Sequence, residues 1–260
     1  MSQIQLYNHI PFIKQPLIGI LKEAIYALGA VGVGIETYPI CSYVLHSVFL
    51  KLTGAQEQKL KCICWELASR DYEYRYERYN KNPLGECSDI KEKTIVYNDL
   101  INEIKKIDST FCIDTIDKSL ILTEWRNSVL SIFSDSNVSK SFYTQFEDFK
   151  VLISNVDISW FMNMTQLLTN SSNLSSAQLN QSCGKSLFDI YKDYLYVERN
   201  RCAHNTRSYQ SNLPYLKVIA STTYKLENYF IYISIIILLD MIFIKLFTEY
   251  INRAKEIFVC

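Results

Sequence analysis

Residues 229–245 read Tyr-Phe-Ile-Tyr-Ile-Ser-Ile-Ile-Ile-Leu-Leu-Asp-Met-Ile-Phe-Ile-Lys. How this run is read decides the fold. A helix that spans a bilayer needs about 20 mostly apolar residues. Here the apolar run is cut by Asp240 and closed by Lys245. An Asp near the centre of a spanning helix costs roughly 2.5–3.5 kcal/mol on insertion scales. The stretch is therefore expected to be the core helix of a globular bundle, part of a long and bent last helix over 215–256. Residues 24–35 (AIYALGAVGVGI) are apolar too, but short and bracketed by Lys22, Glu23 and Glu36. No stable membrane insertion is expected of either stretch.

A core of that kind needs surrounding helices, and the composition supplies them. The chain has 260 residues, 48% hydrophobic and 21% charged, the proportions of an ordinary globular protein. With 7 Gly and 5 Pro it is poor in the turn formers that an all-β fold requires. The fold class expected is all-α. Helices are predicted near 16–30, 39–52, 55–79, 89–107, 115–134, 140–154 and 157–168, then from 177 to about 202. Thr53-Gly54 is read as a break. Asn80–Ser88 (NKNPLGECS) is the clearest linker. It divides an N-terminal helical region of no assigned role, residues 1–80, from a second region over 89–256. Ser175 or Ser176 is suited to cap the helix that follows. Trp65, Trp125 and Trp160 are expected in the core, and so is His46 beside Val44, Leu45 and Val48.

Formal net charge is zero, so no global field holds a polyanion. The 8 Cys include no C-x-x-C pair, and only His9, His46 and His204 could join them, so neither a zinc site nor a cofactor is expected. Met-Ser-Gln-Ile-Gln lacks the basic, then apolar, pattern of a signal peptide. The thiols are read as reduced and the location as cytoplasmic. The N-x-S/T matches at Asn137, Asn163, Asn170, Asn173 and Asn180 are then chance products of an Asn- and Ser-rich chain.

The densest chemistry lies at 197–207, Val-Glu-Arg-Asn-Arg-Cys-Ala-His-Asn-Thr-Arg. On a helix, Asn200 and His204 share a face, and Arg201 nearly does. Arg199 lies about 140° round and reaches the same space by its length or by a loosening near Cys202. Histidine moves protons at neutral pH, and arginine clamps phosphate oxygens. Such a set suits RNA cleavage by attack of the 2′-hydroxyl, without a metal. From Lys185 to Lys225 there are seven basic and three acidic residues, a local surplus in a neutral chain. The competing reading of a His among arginines at a helix end is a cap for the last carbonyls.

Arg199-Asn200-x-x-Ala203-His204, late in an all-α chain, resembles the signature of the HEPN superfamily. The resemblance covers about residues 115–256. It implies a bundle of four to five helices and metal-independent endoribonuclease activity. It also implies a homodimer with a composite site, and a role as a toxin or anti-phage defence effector with a possible antitoxin or other regulatory partner. Arg199 and His204 take the catalytic positions and Asn200 the polar helper position. Arg201 and Arg207 fall outside the pattern and are assigned to the RNA backbone. Antitoxin-modified members carry a Tyr two residues after the His. Here Thr206 stands there, so modification at that point is not expected. Two alternatives stay open: a catalytically silent helical interaction module, and a membrane-associated helical protein.

Overall fold

The computed structural model describes residues 9–204 and 220–258, apart from the side chains of Ile35, Gln181, His204, Thr222, Glu256, Ile257 and Phe258. The helices are α1 (Ile10–Lys14), α2 (Ile18–Ala27), α3 (Tyr38–Arg70), α4 (Tyr72–Tyr76), α5 (Ile90–Ile107) and α6 (Lys118–Phe133). They continue with α7 (Asn137–Ser141), α8 (Tyr143–Asn155), α9 (Ser176–Leu179), α10 (Leu187–Ile190), α11 (Tyr196–His204) and α12 (Tyr229–Phe258). Among the described residues there is no β-strand, only an isolated antiparallel bridge between Phe161 and Leu168. The class is all-α.

Helix α12 is the axis of the bundle. Ile233, Ile235, Ile236, Leu238, Leu239, Ile242, Leu246 and Phe247 are all sealed from solvent, and from Phe230 to Asp240 the helix is buried on every side. Helices α3, α5 and α6 pack along it, with α8 touching it near its start. Each fully buried Ile or Leu contributes about 1.5–3 kcal/mol, so this one helix supplies much of the driving force for collapse. It is long and apolar enough to cross a membrane, yet 83% of its most apolar window is buried against the rest of the chain.

Asp240 is the reason that the apolar run is interrupted. Its Oδ1 accepts from Lys59 Nζ at 2.7 Å and its Oδ2 from the Leu17 amide at 2.7 Å. Lys59 also donates to the carbonyl of Gln15. One carboxylate thus joins α12, α3 and the turn between α1 and α2. Burial pushes the Asp240 carboxyl up and the Lys59 amine down, and each partner opposes the shift of the other. Nearby, Gln56 donates to the Ile236 carbonyl at 3.0 Å and Trp125 to the Ser234 carbonyl at 2.7 Å, so the axis is also fixed in register.

Several sequence expectations need correction. Thr53-Gly54 does not break a helix: α3 is continuous over 33 residues. Thr53 is buried and its hydroxyl donates back to the Leu50 carbonyl, while packing along the flanking turns outweighs the roughly 1 kcal/mol that Gly54 costs. The helix ends instead at Asp71, whose side chain accepts from the Tyr74 amide and starts α4. The helix expected over 16–30 is α2 with a 3-10 turn, Leu28–Ala30, at its end; Pro16 stands just before it, and Pro11 lies in the first turn of a separate short helix, α1.

The helix expected from 177 to 202 is three pieces. After α9 the chain turns at Cys183 (φ 54°) and Gly184 (φ 75°), and Ser186 caps a fresh start with Asp189 answering its amide. A π-helical turn, Tyr191–Leu195, separates α10 from α11. Residues 157–168 form a loop closed by the Phe161–Leu168 bridge and not a helix. Ser175 does cap the following helix, in a capping box with Gln178. Trp125 and Trp160 are core residues, at 1% and 0% exposure, but Trp65 is 55% exposed.

The expected linker is bridged from both sides. Arg78 forks onto Asp99 with hydrogen bonds of 2.7 and 2.6 Å, and Tyr191 donates to the Ser88 carbonyl. Residues before and after it share one hydrophobic cluster around α12.

Candidate functional site

Helix α11 is short, and what positions it is polar. Tyr229, in the first turn of α12, donates its hydroxyl to Glu198, and the Cys202 thiol donates to the same carboxylate at 3.3 Å. Glu198 itself is almost fully buried. This carboxylate raises Tyr229, after the larger effect of burial, and with burial it pushes the Cys202 thiol to about 11. Cys202 therefore stays a thiol at neutral pH and is no nucleophile. Arg201 completes the set, 2.6 Å from Glu198.

On the opposite side of α11 the Arg199 Nη2 donates to both Glu57 oxygens at 3.0 Å, and Nη1 donates to Asn200 Oδ1 at 3.1 Å. Glu57 comes from the middle of α3. Positions 199 and 201 are about 200° apart on a helix at 100° per residue, which is why the two arginines diverge. A guanidinium has five N–H donors. Among the described residues Arg199 makes three bonds, which leave two donors, on Nε and Nη1, and its side chain is 22% exposed.

The sequence-predicted set is thus split. Arg199 and Asn200 are in contact. Arg201 faces away, into a cavity of about 230 Å³ between α3, α11 and the start of α12. The helix is continuous through His204, so no loosening near Cys202 carries Arg199 round. Positions 200 and 204 share a face of it. The side chain of His204 and the whole of Arg207 lie outside the described residues.

The cavity holds groups that the sequence did not connect. His46, expected in the core, is half-buried and lines the cavity with Arg201, Glu198, Glu227 and Tyr229. Its ring centroid is 4.6 Å from that of Tyr229. Burial lowers the imidazole pKa, Glu198 opposes this, and Arg201 lowers it further. His46 is accordingly a neutral acceptor at pH 7. Glu227 is raised by burial. Asp193, Glu198 and Glu227 outnumber Arg201 on its wall, so the lining is acidic, with Glu198 paired to Arg201 and Asp193 to Lys185. No signal in the sequence marked Glu57 or Glu198: one partner of Arg199 lies 142 residues away, and Glu198 reads as a solvated neighbour until Tyr229 is folded onto it. Among the described residues, no group of three or more His, Cys, Asp and Glu side chains is arranged to hold a metal ion.

Comparison with protein-family models, curated proteins and solved structures finds no match to this chain.

Proposed function

We propose that this chain is a metal-independent endoribonuclease of the HEPN type, acting as a homodimer in a toxin or phage-defence role. The observation that carries the reading is the state of Arg199. Glu57 and Asn200 hold its guanidinium in place, and two N–H donors are left over by its partners among the described residues and can meet a phosphate. It stands five positions before His204 on one uninterrupted helix. In this reading the RNA 2′-oxygen attacks the adjacent phosphorus while its proton passes to a histidine. The bond to the 5′-oxygen breaks and that oxygen receives a proton. A 2′,3′-cyclic phosphate and a 5′-hydroxyl result. His204 moves the protons, and Arg199 stabilises the charge on the phosphorane. A second chain brings its own copy of the pair.

Purified protein should cleave RNA in EDTA and leave cyclic-phosphate ends, and His204→Ala should abolish the cleavage. Cleavage that survives the substitution, or that needs Mg2+, defeats the mechanism. One observation favours a second reading, a silent interaction module: the Arg199–Glu57 ion pair ties α11 to α3 and is sufficient as a structural strut. Wild-type protein without ribonuclease activity, together with an Arg199→Ala variant that melts early, would support it.

A further inference from the structure

Trp65 is 55% exposed, whereas Trp125 and Trp160 are sealed. It stands on α3 eight residues after Glu57, with Lys61 midway. At spacings of four these three share one face of the helix. The Trp65 ring meets the edge of Tyr79, 47% exposed, with centroids 6.4 Å apart and planes at 79°. Two grooves flank this pair, about 410 Å³ and 290 Å³ in volume, and both rings line both grooves. Lys61 and Arg78 line the larger groove and Arg75 the smaller. Among the described residues neither groove has an Asp or Glu on its wall, in contrast to the acidic cavity at His46. Arg75 is exposed and forms no ion pair among the described residues. Lys61 pairs with Glu86, itself 76% exposed, and a phosphate can displace such a surface partner at little cost.

We propose that Trp65 and Tyr79 form a base-stacking platform for single-stranded RNA, with Lys61 and Arg75 holding its phosphates along the row that leads to Arg199, while Arg78 stays on Asp99. Aromatic rings stack any base, and cations beside them track the backbone, which is the general design of sequence-tolerant single-strand binding. From Glu57 to Trp65 the helix rises about 12 Å, a distance that a few stacked nucleotides cover at about 3.4 Å each. The choice of RNA, and of Arg199 as the end of the row, rests on the nuclease reading. The platform itself is tested by binding alone.

The test uses the full chain carrying His204→Ala and a short single-stranded RNA of mixed sequence. With the other two tryptophans buried, quenching of the emission reports Trp65. Stacking is expected to quench it on titration. Trp65→Ala and Tyr79→Ala should each weaken binding about tenfold by anisotropy, with only a small fall in melting temperature from the lost ring contact. Arg75→Ala should weaken binding and reduce the salt slope by about one. RNA binding without quenching, or with unchanged affinity in both aromatic variants, overturns the platform, as does an absence of RNA binding. Quenching without cleavage by wild type removes the nuclease reading and leaves the platform. Cleavage without quenching does the reverse.

Discussion

Lys59 and Asp240 meet at 2.7 Å with side chains only 5% and 3% exposed, 181 residues apart in sequence. Removing one member of such a pair leaves the other charge buried without compensation, which costs about 3–5 kcal/mol. Asp240→Ala should lose that much stability in urea unfolding. The double variant Lys59→Met with Asp240→Leu should recover a good part of it, because no charge is then stranded. Equal losses in the single and double variants would mean that the bonds to Leu17 and Gln15, and not the ion pair, hold the junction.

Gly54 offers a change in the opposite direction. It is exposed in the middle of α3, and a Cβ built there meets nothing within 4 Å. Gly54→Ala should stabilise the protein by about 1 kcal/mol, since alanine exceeds glycine by about that much inside a helix. Calorimetry should show a higher melting temperature. No change would indicate a helix already pinned by its packing or a compensating order in the unfolded chain.

Lys93 makes stability depend on alkaline pH. Its side chain is 1% exposed, and Nζ donates to the Cys87 carbonyl at 2.8 Å. Burial lowers its pKa from 10.5 to about 8, with Glu57 opposing. The unfolded chain therefore binds more protons than the folded one between about pH 8 and 10.5, and this group's contribution rises with pH across that window. It is at its lowest below about 8, where both states are protonated. A shift of this size corresponds to about 3 kcal/mol at most. Wild type measured against Lys93→Met at pH 7.5 and 10.5 isolates the effect. A flat difference between the two proteins would show that the amine is charged when folded.

Arg199 can be tested apart from its charge. Lysine keeps the charge but lacks the planar fork that serves Glu57, Asn200 and a phosphate together. Under the nuclease reading, Arg199→Lys should lower single-turnover cleavage about a hundredfold, the scale of one lost oxyanion donor. Retention of most activity would assign Arg199 to the strut alone.

The fold was legible wherever a local signal and the packing agreed. Ser175 starts a helix as its side chain suggests, and Asp240 marked the last helix as a core element. It was illegible where the two conflicted. Thr53-Gly54 carries breaker residues inside a helix that long-range packing keeps whole. Cys183-Gly184 breaks a helix whose apolar periodicity continues across the gap, although Ser186 with Asp189 was a readable restart. For the site, the motif was visible, but its division was not. That Arg199 and Arg201 serve opposite sides of α11 depends on Glu57 and Glu198, whose roles exist only once α3 and α12 have come together.

The burial of the first half of α12 on every side also bears on the order of events during synthesis. Helices α1, α3, α5, α6 and α8 all precede it in the chain, and each packs against the place it will occupy. Until residues 229–251 have left the ribosome, those faces have no mate, and Lys59 has no counter-ion. Nascent chains stopped before Tyr229 are thus expected to be sticky, protease-sensitive and dependent on chaperones, and to lock only when the central helix arrives.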